Sequence, residues 1–182
     1  MRSDFKHQLG SLAESFDSLA HAVTVSDLSK PDHPLVYLNK AFTKMTGFGE
    51  EMLGHNCRFL QSDLENTEAR AHIRTALEAN GRCELVLKNR HRNGDEFYNM
   101  LLIDTVRGYK SLPPMAIGSQ FDLGPEGVEQ AADCAVYTTQ SQSSFSVPLT
   151  VKMRLERRRL YADAVERMFR SWCTLKEVSS RS

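Results

Sequence analysis

No apolar run in this chain of 182 residues approaches the length of a membrane-spanning helix, and the N-terminus has no signal-peptide pattern. No membrane partner is therefore expected. Charge of one sign is also missing. The 23 basic side chains balance 23 acidic ones, so bulk charge does not announce nucleic acid. Cysteine is sparse: Cys57, Cys83, Cys134 and Cys173 are scattered without metal spacing such as C-x-x-C. A disulfide framework is not expected, nor is a bound metal, and a reducing, cytoplasmic setting follows. The length fits one domain with extensions better than two full domains.

Against this background the stretch Gly54-His55-Asn56-Cys57-Arg58-Phe59-Leu60-Gln61 is unusual. One thiol sits between a carboxamide and a guanidinium, with an aromatic, a leucine and a second carboxamide behind. A soft nucleophile beside fixed polar donors suits a thiol presented to a bound polar ring. Arg58 suits an anionic group on the same ligand, since a guanidinium forks onto phosphate. The plainer alternative is a surface helix whose buried cysteine only packs.

The stretch resembles the GxNCRFLQ signature of light-oxygen-voltage (LOV) domains, the flavin-binding branch of the PAS superfamily. Every fixed position is present, His55 is the variable one, and the similarity runs over residues 23–123. The resemblance implies an α+β fold: a five-stranded antiparallel sheet with short helices on one face. Residues 21–123 would form that core, with an N-terminal amphipathic helix over 1–20 and a helical extension over 124–182. It also implies FMN, held at its phosphate by Arg58 and Arg74 and at its ring by Asn56, Gln61, Asn89, Asn99 and Gln120. Thr24, Leu101 and Gly118 would complete the pocket. Thr24 departs from the branched aliphatic residue frequent there, and Ala116 stands where a bulky residue is frequent. In the chemistry so implied, blue light drives the thiol of Cys57 onto ring carbon C4a, N5 gains a proton, and the adduct breaks down in the dark. This is a photocycle without substrate turnover, so no enzyme is expected.

Alternation and breakers place strands over 21–28, 35–38, 83–91, 96–106 and 113–121. Helical segments fall over 40–45, capped by Asn39, then 50–53, and from 66 or 67 to 79. The hairpin at Arg92-Asn93-Gly94-Asp95 carries a parity question. Asn89 and Asn99 are ten apart, so a two-residue loop would send them to opposite faces. An odd loop with Gly94 left-handed puts both on one face, which is what the resemblance requires. Leu85, Leu87, Phe97, Leu101 and Ile103 share their parity, which makes that face the inward one.

Both ends carry apolar stripes. Phe5, Leu9, Leu12, Phe16 and Leu19 follow one face of a helix, to be covered by the domain's own sheet or by a partner chain. Residues 126–137 read as a short helix, 138–144 as a polar linker, and 148–178 as a long helix. Tyr161, Val165, Met168, Trp172 and Leu175 form a short coiled-coil-like seam on it. Arg154, Arg157, Arg158 and Arg159 cluster on the same helix, read as a solvated face rather than a nucleic-acid footprint. No established output module is recognisable after residue 123. The expected function is therefore a blue-light photoreceptor that signals through its terminal helices, as a homodimer whose association changes with light. The rival readings are a DNA-binding regulator using the arginine-rich helix, and a flavin redox sensor.

Overall fold

The chain is seen in a computed structural model that describes residues 4–61, 63–124 and 149–180. The expected short helix over 126–137, the linker, the first residue of the long helix and Cys134 lie outside the described residues. Five strands make one antiparallel sheet: β1 (Ala22–Asp27), β2 (Leu35–Leu38), β3 (Arg82–Arg90), β4 (Glu96–Val106) and β5 (Met115–Asp122), in the order β2-β1-β5-β4-β3. The central β5 is buried from Met115 through Phe121 without alternation, because both faces of the sheet are covered.

The β3–β4 hairpin settles the parity question. Leu87 pairs with Asn99 and Asn89 with Phe97, so the two asparagines share a face. The loop is the odd one. His91 N donates to Asp95 O at 2.8 Å, Gly94 N donates to His91 O at 3.0 Å, and Gly94 has φ 97°. A side chain at that left-handed position would be strained, which is why the turn carries glycine.

The inner face carries α3 (Lys40–Thr46), two 3-10 turns (Glu50–Met52 and Cys57–Leu60) and α4 (Thr67–Glu78). Asn39 caps α3 as expected, with its Oδ1 accepting from Phe42 N and from Val23 N, each at 2.9 Å. Its Nδ2 donates to Phe16 O at 2.8 Å and His21 O at 3.0 Å. One fully buried carboxamide thus ties α3, β1 and the N-terminal segment together, with all its bonds made inside.

The outer face carries α1 (Asp4–Leu9), α2 (Ser11–Asp17) and α5 (Leu149–Ser179). The single N-terminal helix expected over 1–20 is corrected here: Gly10, at φ 55°, breaks it in two. The apolar stripe survives the break. Leu9, Leu12 and Phe16 pack into one core with Val23, Val25 and Ile117 of the sheet and with Val165, Phe169 and Cys173 of α5. Among the described residues the stripe is therefore covered largely by the chain itself. The seam expected on α5 is rotated. Its buried face is Ala162, Val165, Phe169 and Cys173, whereas Tyr161 is 47% and Leu175 67% exposed. A helix lying across a sheet buries the line that meets the strands, which need not be the line of best heptad spacing.

Ion pairs hold α5 to the sheet. Arg159 forks onto Glu84 of β3 at 2.7–3.0 Å, Arg82 pairs with Asp163, and Arg170 Nη2 donates to Thr105 O at 2.9 Å. The arginine cluster is thus not uniformly solvated, for Arg159 is a docking residue. Among the described residues no helix is long and apolar enough to cross a membrane.

Candidate functional site

The Cys57–Leu60 turn is built by Asn56. Its Oδ1 accepts from Arg58 N at 2.9 Å, capping the turn, and its Nδ2 donates to Asp32 O at 2.6 Å. The capped turn packs Cys57 against the apolar cluster that contains Leu38, Phe42 and Leu60. The Cys57 thiol is in hydrogen-bonding contact with the Gln120 side chain, and burial pushes it up to about 12, opposed in part by that contact. The thiol is protonated at neutral pH. It is not one of the low-pKa thiolates that react spontaneously with electrophiles.

Gln120 is the centre of a buried polar row. Its Oε1 accepts from Asn99 Nδ2 at 2.9 Å, and its Nε2 donates to Thr24 Oγ1 at 3.3 Å. The strand register explains the row. Gln120 pairs with Leu101 on β4 and Ala22 on β1, so Asn99 and Thr24 are its diagonal neighbours on the same face. The row is incomplete. Asn89 Oδ1 and Asn99 Oδ1 are buried and accept no hydrogen bond among the described residues. A buried acceptor left without a donor costs about 1–3 kcal/mol, so two on one face call for a ligand that donates. Beside the row, Gly118 permits close approach: a Cβ there would lie 2.9 Å from Thr24 Oγ1 and 3.7 Å from Leu101 Cδ1.

A cavity of about 570 Å³ opens between the Cys57 turn and α4. It brings together Asn56, Arg58, Gln61 and Arg74, four of the residues singled out in the sequence. Thr24, Cys57, Asn89, Asn99, Leu101, Gly118 and Gln120 are not among its lining; they belong to the sheet face and the turn that meets it. Two further arginines, Arg70 and Arg107, line the same mouth, against the carboxylates of Asp32 and Glu78. Arg58 pairs with Asp32. Arg70 Nε donates to Gln61 Oε1 at 2.7 Å, and Arg107 Nη2 donates to Leu77 O at 3.1 Å. Arg70 was legible in principle, standing one helical turn before Arg74 on the same face of α4. Arg107, just past the end of β4, had no local signal.

The PAS domain family matches residues 21–111, half of the chain, and the chain belongs to that family. A LOV protein of Rhodobacter sphaeroides, known as a crystal structure, is 34% identical to it. The match covers 91% of this chain and 97% of that one, with a TM-score of 0.61. Within the PAS family the chain thus belongs to the LOV proteins. A blue-light-activated histidine kinase of Rhizobium johnstonii is 36% identical over 112 residues, 61% of this chain and 32% of the kinase. A blue-light photoreceptor of Listeria monocytogenes is 36% identical over 85 residues, 46% of this chain and 34% of the receptor. The chain spans about a third of the length of these two curated relatives.

The residues present fit a flavin. A flavin's pyrimidine edge offers one N–H between two carbonyls: the N–H suits one of the two unpaired carboxamide oxygens, and the Gln120 amide, which both donates and accepts, suits the acceptors beside it. The cationic mouth suits a phosphate tail.

Proposed function

We propose that the chain binds FMN between the sheet and the α3–α4 side and reports blue light through a reversible bond formed by Cys57. The bound flavin supplies the blue absorption and, at C4a, the carbon to which the excited-state reaction joins sulfur. The chain supplies the rest. Cys57 holds its thiol protonated and aimed at the Gln120 row. Asn89, Asn99 and Gln120 hydrogen-bond the ring edge, with Asn56 and Gln61 at its side. Thr24, Leu101 and Gly118 shape the floor, and Arg58 and Arg74 hold the phosphate. The observation that carries this reading is the pair of buried, donorless carboxamide oxygens beside a protonated cysteine. Absorption spectra in the dark and under blue light test it. Wild type is expected to bleach and recover, and Cys57→Ala to keep the flavin without bleaching to the same product. Equal bleaching in Cys57→Ala would refute the role of the thiol.

In this reading residues 21–123 sense and the flanking segments, 1–20 and 124–182, respond, without catalytic turnover. A reducing, cytoplasmic setting keeps the thiol available. Gln120 adjoins Phe121, whose ring stacks on His21 at 4.9 Å, and His21 stacks on Tyr161 of α5 at 5.7 Å. A rearranged amide at Gln120 therefore lies one residue from a ring column that reaches α5. The exposed apolar side chains of α5, Leu160 and Leu175 among them, support a homodimer in the dark, and the direction proposed for the light effect is loosening. Light scattering in both states across a dilution series tests this, and identical masses throughout would exclude it. Binding of nucleic acid by the arginine cluster is less favoured, since Arg159 is committed to Glu84.

A further inference from the structure

The cationic mouth is guarded by an acid. Asp32 takes the ion pair of Arg58, and its carbonyl accepts from Asn56, so one residue holds both neighbours of Cys57. The turn that places it there is not a relaxed one. His33 N donates to Lys30 O at 3.2 Å, which puts Pro31 second and Asp32 third in the turn. Asp32 and His33 have φ values of 67° and 45°. The third position of a turn with positive φ favours glycine or asparagine, and two consecutive non-glycine residues in this region are unusual. Backbone contacts alone would be served as well by glycine. What aspartate adds is a carboxylate on Arg58.

The other cations of the mouth are differently placed. Arg70 serves Gln61, and Arg107 serves a carbonyl at the end of α4. The Arg58–Asp32 pair is more than half exposed on both sides, so it is weak and exchangeable. A monoanion gains little by displacing a carboxylate of equal charge, whereas a phosphate dianion offers Arg58 and Arg74 together a stronger partner.

We propose that Asp32 is a specificity-determining residue of the cavity, competing with the flavin's phosphate for Arg58 and so setting how strongly the site prefers a phosphorylated flavin. This rests on the reading of the cavity mouth as the phosphate end. The full-length flavin-free chain is titrated with FMN and with riboflavin, following quenching of flavin fluorescence. Wild type, Asp32→Asn, Asp32→Gly and Arg58→Ala are compared at low and physiological salt. Removing the competing charge is expected to tighten FMN about two- to fivefold, the scale of one exposed pair, and to leave riboflavin unchanged. Both variants remove the charge, but Asn keeps the Cβ that Gly removes, so agreement between them separates charge from backbone relief. An unchanged FMN-to-riboflavin preference, or weaker FMN binding, in both Asp32 variants overturns the role of Asp32. If Arg58→Ala also leaves the preference unchanged, the phosphate reading of the mouth fails first. If Arg58→Ala lowers it and the Asp32 variants do not raise it, only the competition fails.

Discussion

Asn89 illustrates what one side chain gives up for a site. Its carboxamide is buried on the inner face of β3 with an acceptor that meets no donor among the described residues. Leucine at that position would remove a buried unsatisfied group, and its neighbours Leu85 and Leu87 show that the strand accepts leucine. Asn89→Leu is therefore expected to stabilise the flavin-free chain by about 1 kcal/mol while weakening flavin binding. Urea unfolding of the flavin-free protein and flavin titration measure the two effects. Loss of stability in the flavin-free variant would mean that the oxygen is satisfied after all. The motif made Cys57, Asn56 and Arg58 legible, because their chemistry is local in sequence. The pairing of Arg58 with Asp32 was not legible, since the two are 26 residues apart and meet only through a turn of positive φ.

At the scale of elements, His21 is a joint between the sheet and α5. It stacks between Phe121 and Tyr161, and burial lowers it to about 4. Its folded pKa lies below its unfolded value of about 6.5, so its contribution is fully present above that value. Stability is lost as pH falls from about 6.5 toward 4, where the unfolded state binds the extra proton. Lys44, Arg158 and Asp122 border the same pocket, so other charges also act there. As pH is lowered through this window the urea midpoint of wild type should accordingly fall relative to that of His21→Phe, with the variant's slope the flatter. Parallel slopes would show that His21 titrates as it does in the unfolded chain.

The hairpin and the N-terminal helix show opposite limits of reading elements from sequence. Parity reduced the hairpin to two choices, because strand faces alternate strictly, and the resemblance, which requires Asn89 and Asn99 on one face, selected the odd loop that the register shows. The N-terminal stripe kept its spacing through Gly10, so periodicity did not reveal the break in the backbone there.

At the scale of the molecule, the sheet divides the work between its faces. The inner face holds the thiol, the carboxamide row and the cavity. The outer face gathers both chain ends into one core, where Phe16 and Phe169 are completely buried. Sequence showed that both ends had apolar faces. It could not show that they cover each other, because an amphipathic pattern names no partner. For the same reason the buried line of α5 runs through Phe169 and Cys173 and not through Tyr161 and Leu175.

In the function proposed, light acts on a protonated Cys57 thiol held beside Gln120. The most direct measurement is the infrared S–H stretch of the flavin-loaded chain, recorded as a light-minus-dark difference. Cys83 and Cys173 are buried elsewhere and Cys57→Ala identifies the band. With the thiol pushed up to about 12, the dark band is expected to be present and constant from about pH 6 to 9, to disappear under blue light, and to return in the dark. A Cys57 band that is missing in the dark, or that persists unchanged under blue light while the flavin bleaches, would contradict it.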